Sequence, residues 1–587
     1  MPYRPLFVLL ACCAIVSAAE SPADKQSRAV VQRWMKSMSL RDRVAQLISM
    51  PCYGENPGTR SADFRRYRHW VRDLRIGGLI VANRVVNGQV RNAEPFAMAL
   101  FLNRMQRLAR VPLLVSSDFE RGASMRVANT TKFPYNMAFA AARDLAATRF
   151  EGAETARQAR ALGVHWVFAP DADVNNNPDN PIINTRSYGE NPQDVAEYVA
   201  AYIDGAHSDP NHRVLVTAKH FPGHGDTAVD THLGLARLEG DRARLEAVEF
   251  VPFKAAIAHG VDAIMTAHMA APALEPEAIP ATVSRNVLTG VLRNELGFNG
   301  LIVTDAMDMQ GLAKQFSAGE ASVRALEAGA DVLLMPPDAD QAINAVMAAI
   351  RQGRLSRQRI DQSVLKVLNA KARVGLARRR VVDVDEISDA IDTPEAEEIA
   401  ERVAERALTL LRNQDDIFPV KDSAKACLFV LPENRYSQQG RALLLEIHRR
   451  APAMTARALD PAMPDEVVSG LAQTAARSCA SVFVAAFDTV GAYRGNVALG
   501  GCYPGFLRAV VSAAPTALIA FGNPYLLRSF PDVAGYLATF SAASTSETAV
   551  ARALFGEIPI SGRTPVTIPG FARSGDGIQL GMPTGSK

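Results

Sequence analysis

The sequence predicts an α/β protein: a (β/α)8 TIM-type barrel followed by a second, open-sheet α/β sandwich domain. Three observations carry this. Eight short apolar runs recur between Leu47 and Met335, most of them separated by a longer amphipathic stretch. Ionisable residues stand just beyond the ends of four of those runs. A charged, apolar-poor stretch then interrupts the rhythm before a second alternating set begins. Eight strands alternating with helices favour a closed parallel barrel over an open doubly wound sheet.

The chain opens with Arg4, the apolar run Leu6 to Val16 and the small residues Ser17-Ala18-Ala19, the pattern of an export signal over residues 1–19. The run is too short to span a bilayer, so no integral membrane span is expected. Leu9-Leu10-Ala11-Cys12 is similar to a bacterial lipoprotein cleavage site, and a lipid anchor at Cys12 is the less favoured alternative. Removal of the signal leaves Cys52, Cys427, Cys479 and Cys502, which have no metal-knuckle spacing. One disulfide fits an oxidising compartment, but sequence does not pair the four. The formal net charge of +3 is spread along 587 residues, so nothing asks for nucleic acid.

Ser39 with Asp42 fits a capping box, and helical spacing runs through Leu40, Val44, Leu47 and Ile48. Strands are expected at Leu47–Met50, Gly78–Ala82, Leu113–Ser116, Trp166–Phe168, Val214–Thr217, Ala263–Thr266, Leu301–Thr304 and Val332–Met335. The first is the least secure, because it continues that helical spacing. Helices are expected at Glu94–Arg107, Asp194–Ala206, Ala243–Ala258, Arg285–Glu295 and Gly319–Ala328. The barrel domain so read covers residues 20–377. A solvated linker is expected over 378–393, where Arg378-Arg379-Arg380 and acidic residues crowd together. Thr393-Pro394 then starts a helix, with Thr393 as its cap. Runs at Leu408–Leu411, Leu428–Leu431, Val482–Ala485, Ala517–Ala520 and Tyr536–Phe540 make the second domain, residues 394–587. It holds no phosphate-binding glycine motif.

Barrels carry chemistry past the C-terminal ends of their strands. Asp118, Lys219 with His220, His268 and Asp305 all stand in such places. Beyond Lys219-His220 the chain runs Phe221-Pro222-Gly223-His224-Gly225-Asp226, then Asp230-Thr231-His232. Pro222, Gly223 and Gly225 break regular structure, which leaves an irregular loop. Three readings of that loop stand open: an Asp230–His232 carboxylate–imidazole pair for acid/base work, a metal held by His220, His224, Asp226 and His232, or a hydrogen-bonded surface loop without chemistry.

These segments carry a resemblance. The chain resembles the β-N-acetylglucosaminidase branch of glycoside hydrolase family 3 in its two-domain form. The resemblance lies in Lys219 to Gly225 with Asp230-Thr231-His232, in Gly297-Phe298-Asn299-Gly300 through Asp305-Ala306-Met307, and in Phe168-Ala169-Pro170-Asp171 with Thr185-Arg186-Ser187-Tyr188-Gly189. It implies a retaining β-N-acetylhexosaminidase in which Asp305 is the nucleophile and His232, held by Asp230, is the acid/base. It implies that Asp118, Arg126, Arg186, Lys219 and His220 hold the sugar, and that no cofactor or metal is needed. The substrate implied is a glycan ending in N-acetylglucosamine, from peptidoglycan fragments or chitooligosaccharides, and the location periplasmic or extracellular. Two departures stand out. Thr231 replaces the usual serine, and Phe119-Glu120-Arg121-Gly122 replaces glutamine-glutamate-glycine-glycine. The alternatives are a family β-glucosidase or β-xylosidase, an N-acetylglucosaminide phosphorylase, a metal hydrolase, and a non-enzymatic wall-binding module.

Overall fold

A computed structural model describes residues 22–86 and 89–582; the expected signal and Cys12 lie outside them. The first sheet has eight parallel strands: β1 (Ile48–Cys52), β2 (Gly78–Val81), β3 (Leu114–Ser117), β4 (Trp166–Val167), β5 (Leu215–Phe221), β6 (Ala263–Thr266), β7 (Leu301–Thr304) and β8 (Leu333–Leu334). Hydrogen bonds link them in the order β7-β6-β5-β4-β3-β2-β1-β8. A parallel bridge from Val303 to Val332 joins β7 to β8, and Thr304 Oγ1 accepts from Leu334 N at 3.0 Å. The sheet therefore wraps into the expected barrel. Every residue of β2, β3, β6 and β7 is buried, as strands covered on both faces must be.

Local differences have local causes. The capping box forms in both directions, with Asp42 N donating to Ser39 Oγ at 3.2 Å and Ser39 N to Asp42 Oδ2 at 3.1 Å, but the helix stops at Ala45 and β1 follows. β5 runs four residues past the expected end, so Lys219 and His220 lie inside it rather than beyond it. Ion pairs replace apolar packing there, which is why hydrophobicity alone cut the strand short. The helix expected over Ala243–Ala258 is two, Arg242–Ala247 and Phe250–Ala258. The charged connector is not a solvated tether: Ile387 and Ile391 are buried, and Asn103 holds Val382 by both its backbone groups at 2.8 Å. Thr393 precedes the helix Pro394–Ala407 without a side-chain cap bond.

The second sheet contains β9 (Thr409–Asn413), β10 (Ala426–Leu431), β11 (Thr455–Ala458), β12 (Ser481–Asp488), β13 (Thr516–Gly522) and β14 (Gly535–Ala538). Their order is β9-β14-β13-β12-β10-β11, parallel except for β9. The edge strand β11 is mostly exposed and carries no apolar run, so sequence did not show it. Cys427 and Cys479 form a disulfide within this domain, and Cys52 and Cys502 are free and buried. The helix Pro394–Ala407 packs on the barrel helix Asn136–Ala142, and Arg406 pairs with Asp144 at 2.8 Å. Asn175 Nδ2 donates to Tyr525 Oη at 2.9 Å, and Asn184 Nδ2 to Asn523 Oδ1 at 3.2 Å. The two domains thus meet at the mouth of the barrel.

Candidate active site

At that mouth, β3, β4 and β5 deliver interlocked charges. Lys219, buried on β5, places Nζ 3.1 Å from Asp118 Oδ1 and 2.6 Å from Glu120 Oε1. Asp118, one residue past β3, takes Arg126 Nη2 on its other oxygen at 2.8 Å. Arg186, on the loop after β4, grips Glu120 with two bonds of 2.8 and 2.9 Å and lies 3.2 Å from Asp171 Oδ2. His220 Nδ1 meets Asp173 Oδ2 at 2.7 Å, while Asp173 Oδ1 accepts the backbone N–H of His220 and of His224. The five sugar-holding residues expected from sequence therefore form one cluster.

The ionisation states follow from this pairing. Burial raises the Asp118 carboxyl, but Lys219 and Arg126 draw it down to about 2. Glu120 is likewise buried, and Arg186 and Lys219 hold it well below its ordinary value. Asp171 goes the other way: burial and the Glu120 charge raise it, and neither of its oxygens has a hydrogen-bond partner. Burial pulls His220 down, yet Asp173 more than compensates and its pKa is raised.

The loop after β5 holds the expected pair. Asp230 Oδ1 accepts from His232 N at 2.9 Å and lies 2.7 Å from His232 Nδ1, which leaves Nε2 outward. The buried His224 ties the loop down from inside through Thr227 Oγ1 at 2.7 Å and Thr231 Oγ1 at 3.1 Å. Asn180 Nδ2 adds bonds to the His224 and Gly225 carbonyls. The asparagine-rich stretch Asn175–Asn180 thus also props this loop.

Asp305 follows β7, its Oδ1 accepting from Ala306 N at 2.7 Å. Burial raises its carboxyl, and His220, His268 and His232 together bring it below the ordinary value. His268 Nε2 lies 3.0 Å from the Ala306 carbonyl, so it braces the turn that carries Asp305. The two catalytic candidates share a seat. Gly311, six residues past Asp305, donates to the Thr231 carbonyl at 3.0 Å, and a Cβ at 311 would lie 2.8 to 3.1 Å from the His268, Gly234 and Thr231 carbonyls.

The metal reading fares differently. His232 is committed to Asp230, His224 to two threonines, and Asp226 to Arg244 at 2.6 Å, so the four expected ligands do not converge. Among the described residues Asp171, Asp173 and His220 offer donor atoms within 4.8 Å of one another. His220 is already bonded to Asp173, and Arg186 and Lys219 sit against Asp171, so their charge is matched by protein cations.

Sequence reading left out Glu120, Asp173 and Tyr493. Glu120 and Asp173 could have been found from their places two residues past Asp118 and Asp171. Tyr493, on the loop after β12 of the second domain, had no signal: its N–H donates to Asp230 Oδ2 at 2.9 Å and its ring centroid lies 5.0 Å from that of His232.

The sequence model described as the glycosyl hydrolase family 3 N terminal domain matches residues 39–370. A β-N-acetylglucosaminidase/β-glucosidase of Cellulomonas fimi is 29% identical over 582 residues, 94% of this chain and 98% of its own length. A β-hexosaminidase A of Pseudoalteromonas piscicida is 27% identical over 512 residues, 79% of this chain and 84% of its own. The solved structure of a family 3 β-N-acetylglucosaminidase from Paenibacillus sp. str. FPU-7 superposes with a TM-score of 0.80 at 32% identity, covering 90% of this chain and 99% of that one.

Proposed function

The chain belongs to glycosyl hydrolase family 3, and from that premise we propose that it is an exo-acting, retaining β-N-acetylhexosaminidase that removes terminal non-reducing N-acetylglucosamine. The observation that carries the reading is the Asp230–His232 pair, 2.7 Å apart on a loop seated against the segment of Asp305. The names of the similar proteins from Cellulomonas, Pseudoalteromonas and Paenibacillus support the choice of sugar.

In the first step an Asp305 carboxylate oxygen attacks the anomeric carbon as the glycosidic bond breaks. His232 Nε2 gives its proton to the departing oxygen, and Asp230 steadies the imidazole. In the second step His232 takes a proton from water, whose oxygen displaces Asp305 and releases the sugar. An imidazole thus does the work that a second carboxylic acid does in most retaining glycosidases. Asp118, Arg126, Arg186, Lys219 and His220 supply charged hydrogen-bond partners for the sugar's hydroxyl and acetamido groups. Every proton and electron pair has a protein or substrate partner, so the scheme uses no cofactor.

The substrates proposed are peptidoglycan fragments or chitooligosaccharides, and the location is outside the cytoplasm. The apolar run Leu6 to Val16 and the Cys427–Cys479 disulfide support export. No described helix is long and apolar enough to cross a membrane. Trapping with a 2-acetamido-5-fluoro glycosyl fluoride, followed by peptide mass spectrometry, tests the mechanism. Label on Asp305 is expected; label elsewhere, or none with turnover intact, would sink it. Phosphorolysis is the second reading, because an imidazole does not repel an incoming phosphate as a carboxylate would. Sugar 1-phosphate formed at a rate that depends on phosphate would establish it.

A further inference from the structure

Between the barrel mouth and the second domain lies a cavity of about 170 Å³, bordered by Glu120, Arg121, Tyr135, Asn136, Arg186 and Thr489. Its volume is that of roughly five or six waters, enough for a short substituent with a carboxyl group. Two groups on its wall are unmatched. The Arg121 guanidinium rests over the Tyr135 ring, 4.5 Å from its centroid, and among the described residues no carboxylate or carbonyl partners it. Asn136, 2% exposed, spends its amide N–H on the Arg186 carbonyl at 2.6 Å, while its Oδ1 has no donor.

The other charges around the cavity are taken. Glu120 is held by Arg186 and Lys219, and Arg186 by Glu120 and Asp171. Glu433, behind Thr489, accepts from the Thr489 N–H and hydroxyl and pairs with Arg494. Arg121 is thus a cation without a counter-charge among the described residues, and Asn136 Oδ1 a buried acceptor without a donor, both on the wall of one cavity. A ligand hydroxyl or amide N–H would supply the donor that this buried acceptor lacks. Arg121 also stands where the family pattern given above has a glycine.

We infer that this cavity receives a carboxylate carried by the captured sugar itself, with Arg121 pairing to the carboxylate and Asn136 Oδ1 accepting a neighbouring N–H or O–H. The inference rests on the hexosaminidase reading and extends it: beside N-acetylglucosamine, the site accepts a 2-acetamido sugar with an acidic substituent. The captured sugar is chosen over the leaving group because Glu120 and Arg186 of the sugar cluster line the cavity, whereas Asp305, His232 and Tyr493 do not.

The test compares wild type and Arg121→Ala on the p-nitrophenyl β-glycosides of N-acetylglucosamine and of N-acetylmuramic acid, which adds a lactyl carboxylate. In wild type the muraminide is expected to have the higher kcat/KM. In Arg121→Ala the ratio of muraminide to glucosaminide should fall about 10- to 100-fold, mainly through KM, as loss of a charged hydrogen bond implies. Arg121→Lys should retain part of the ratio. Calorimetric binding of free N-acetylmuramic acid and N-acetylglucosamine reads the same preference without turnover, so failure of the hexosaminidase reading remains distinguishable. An unchanged ratio, or equal binding of the two sugars, would overturn the inference. So would a substitution effect confined to N-acetylglucosaminyl-N-acetylmuramic acid, where the carboxylate lies on the leaving sugar.

Discussion

Tyr493 donates its backbone N–H to Asp230 Oδ2 at 2.9 Å, while the other oxygen of that carboxylate lies 2.7 Å from His232 Nδ1. The Asp230–His232 pair of the first domain is therefore completed by a bond from the second. Its ring leans on the imidazole at a 59° tilt, and a Cβ at Gly495 would lie 2.9 Å from Leu233 Cδ1.

This contact separates two contributions. Tyr493→Gly keeps the N–H and suits the positive φ of 67°, but removes the ring; kcat/KM on a disaccharide should fall by less than tenfold. Deleting residues 491–495 removes both, and a lost hydrogen bond to a charged group predicts about a 10- to 100-fold loss. Steady-state kinetics on chitobiose measures both. Equal activity of the two variants would show that the bond to Asp230 does nothing.

The two catalytic candidates should fail differently. Asp305→Ala should abolish turnover on every substrate. His232→Ala should cost about 10²- to 10⁴-fold on natural glycosides but much less on 2,4-dinitrophenyl glycosides, whose leaving group needs no proton. Equal losses on both substrates would contradict the acid role.

The cluster around Lys219 makes stability depend on acid. Asp118 is depressed from 3.8 to about 2, and Glu120 and Asp173 are depressed as well. For a carboxyl lowered in the fold, the stabilisation is present above the unfolded value and lost as pH falls through the folded one. The Asp118 share, about 2 kcal/mol, should therefore vanish between about pH 4 and pH 2. Denaturation midpoints across that range should fall more steeply for wild type than for Asp118→Asn.

Glu151 has the opposite sign. It is fully buried with neither carboxylate oxygen bonded, and burial raises it well above its ordinary value. Its neutral form fits the fold, so the favourable term is complete below pH 4.5 and is lost as pH rises toward the folded value. Glu151→Gln should be increasingly more stable than wild type from pH 5 to pH 9 by thermal unfolding. A constant difference would mean that this carboxyl does not titrate in the range.

The Cys427–Cys479 bridge closes a separation of 52 residues in the second domain. Cys427→Ser should lower stability by about 2–4 kcal/mol, read as a lower denaturant midpoint, because the open chain regains loop entropy.

The barrel was legible in the sequence because strands covered on both faces must be unbroken apolar runs: Gly78 to Val81, Ala263 to Thr266 and Leu301 to Thr304 declare themselves without any partner in view. Strand ends likewise pointed to Asp118 and Asp305, and two-residue spacing pointed to Asp230 with His232. Tertiary structure alone decided what lies between distant segments. The full length of β5 depends on carboxylates from the loops after β3 and β4, Glu120 and Asp173, that pair with Lys219 and His220. The bond from Tyr493 crosses 263 residues of chain, and the cavity beside Arg121 has walls from both domains. Periodicity records which face of one segment is buried, but it carries no record of which other segment supplies a counter-charge; that is set only when the chain closes on itself.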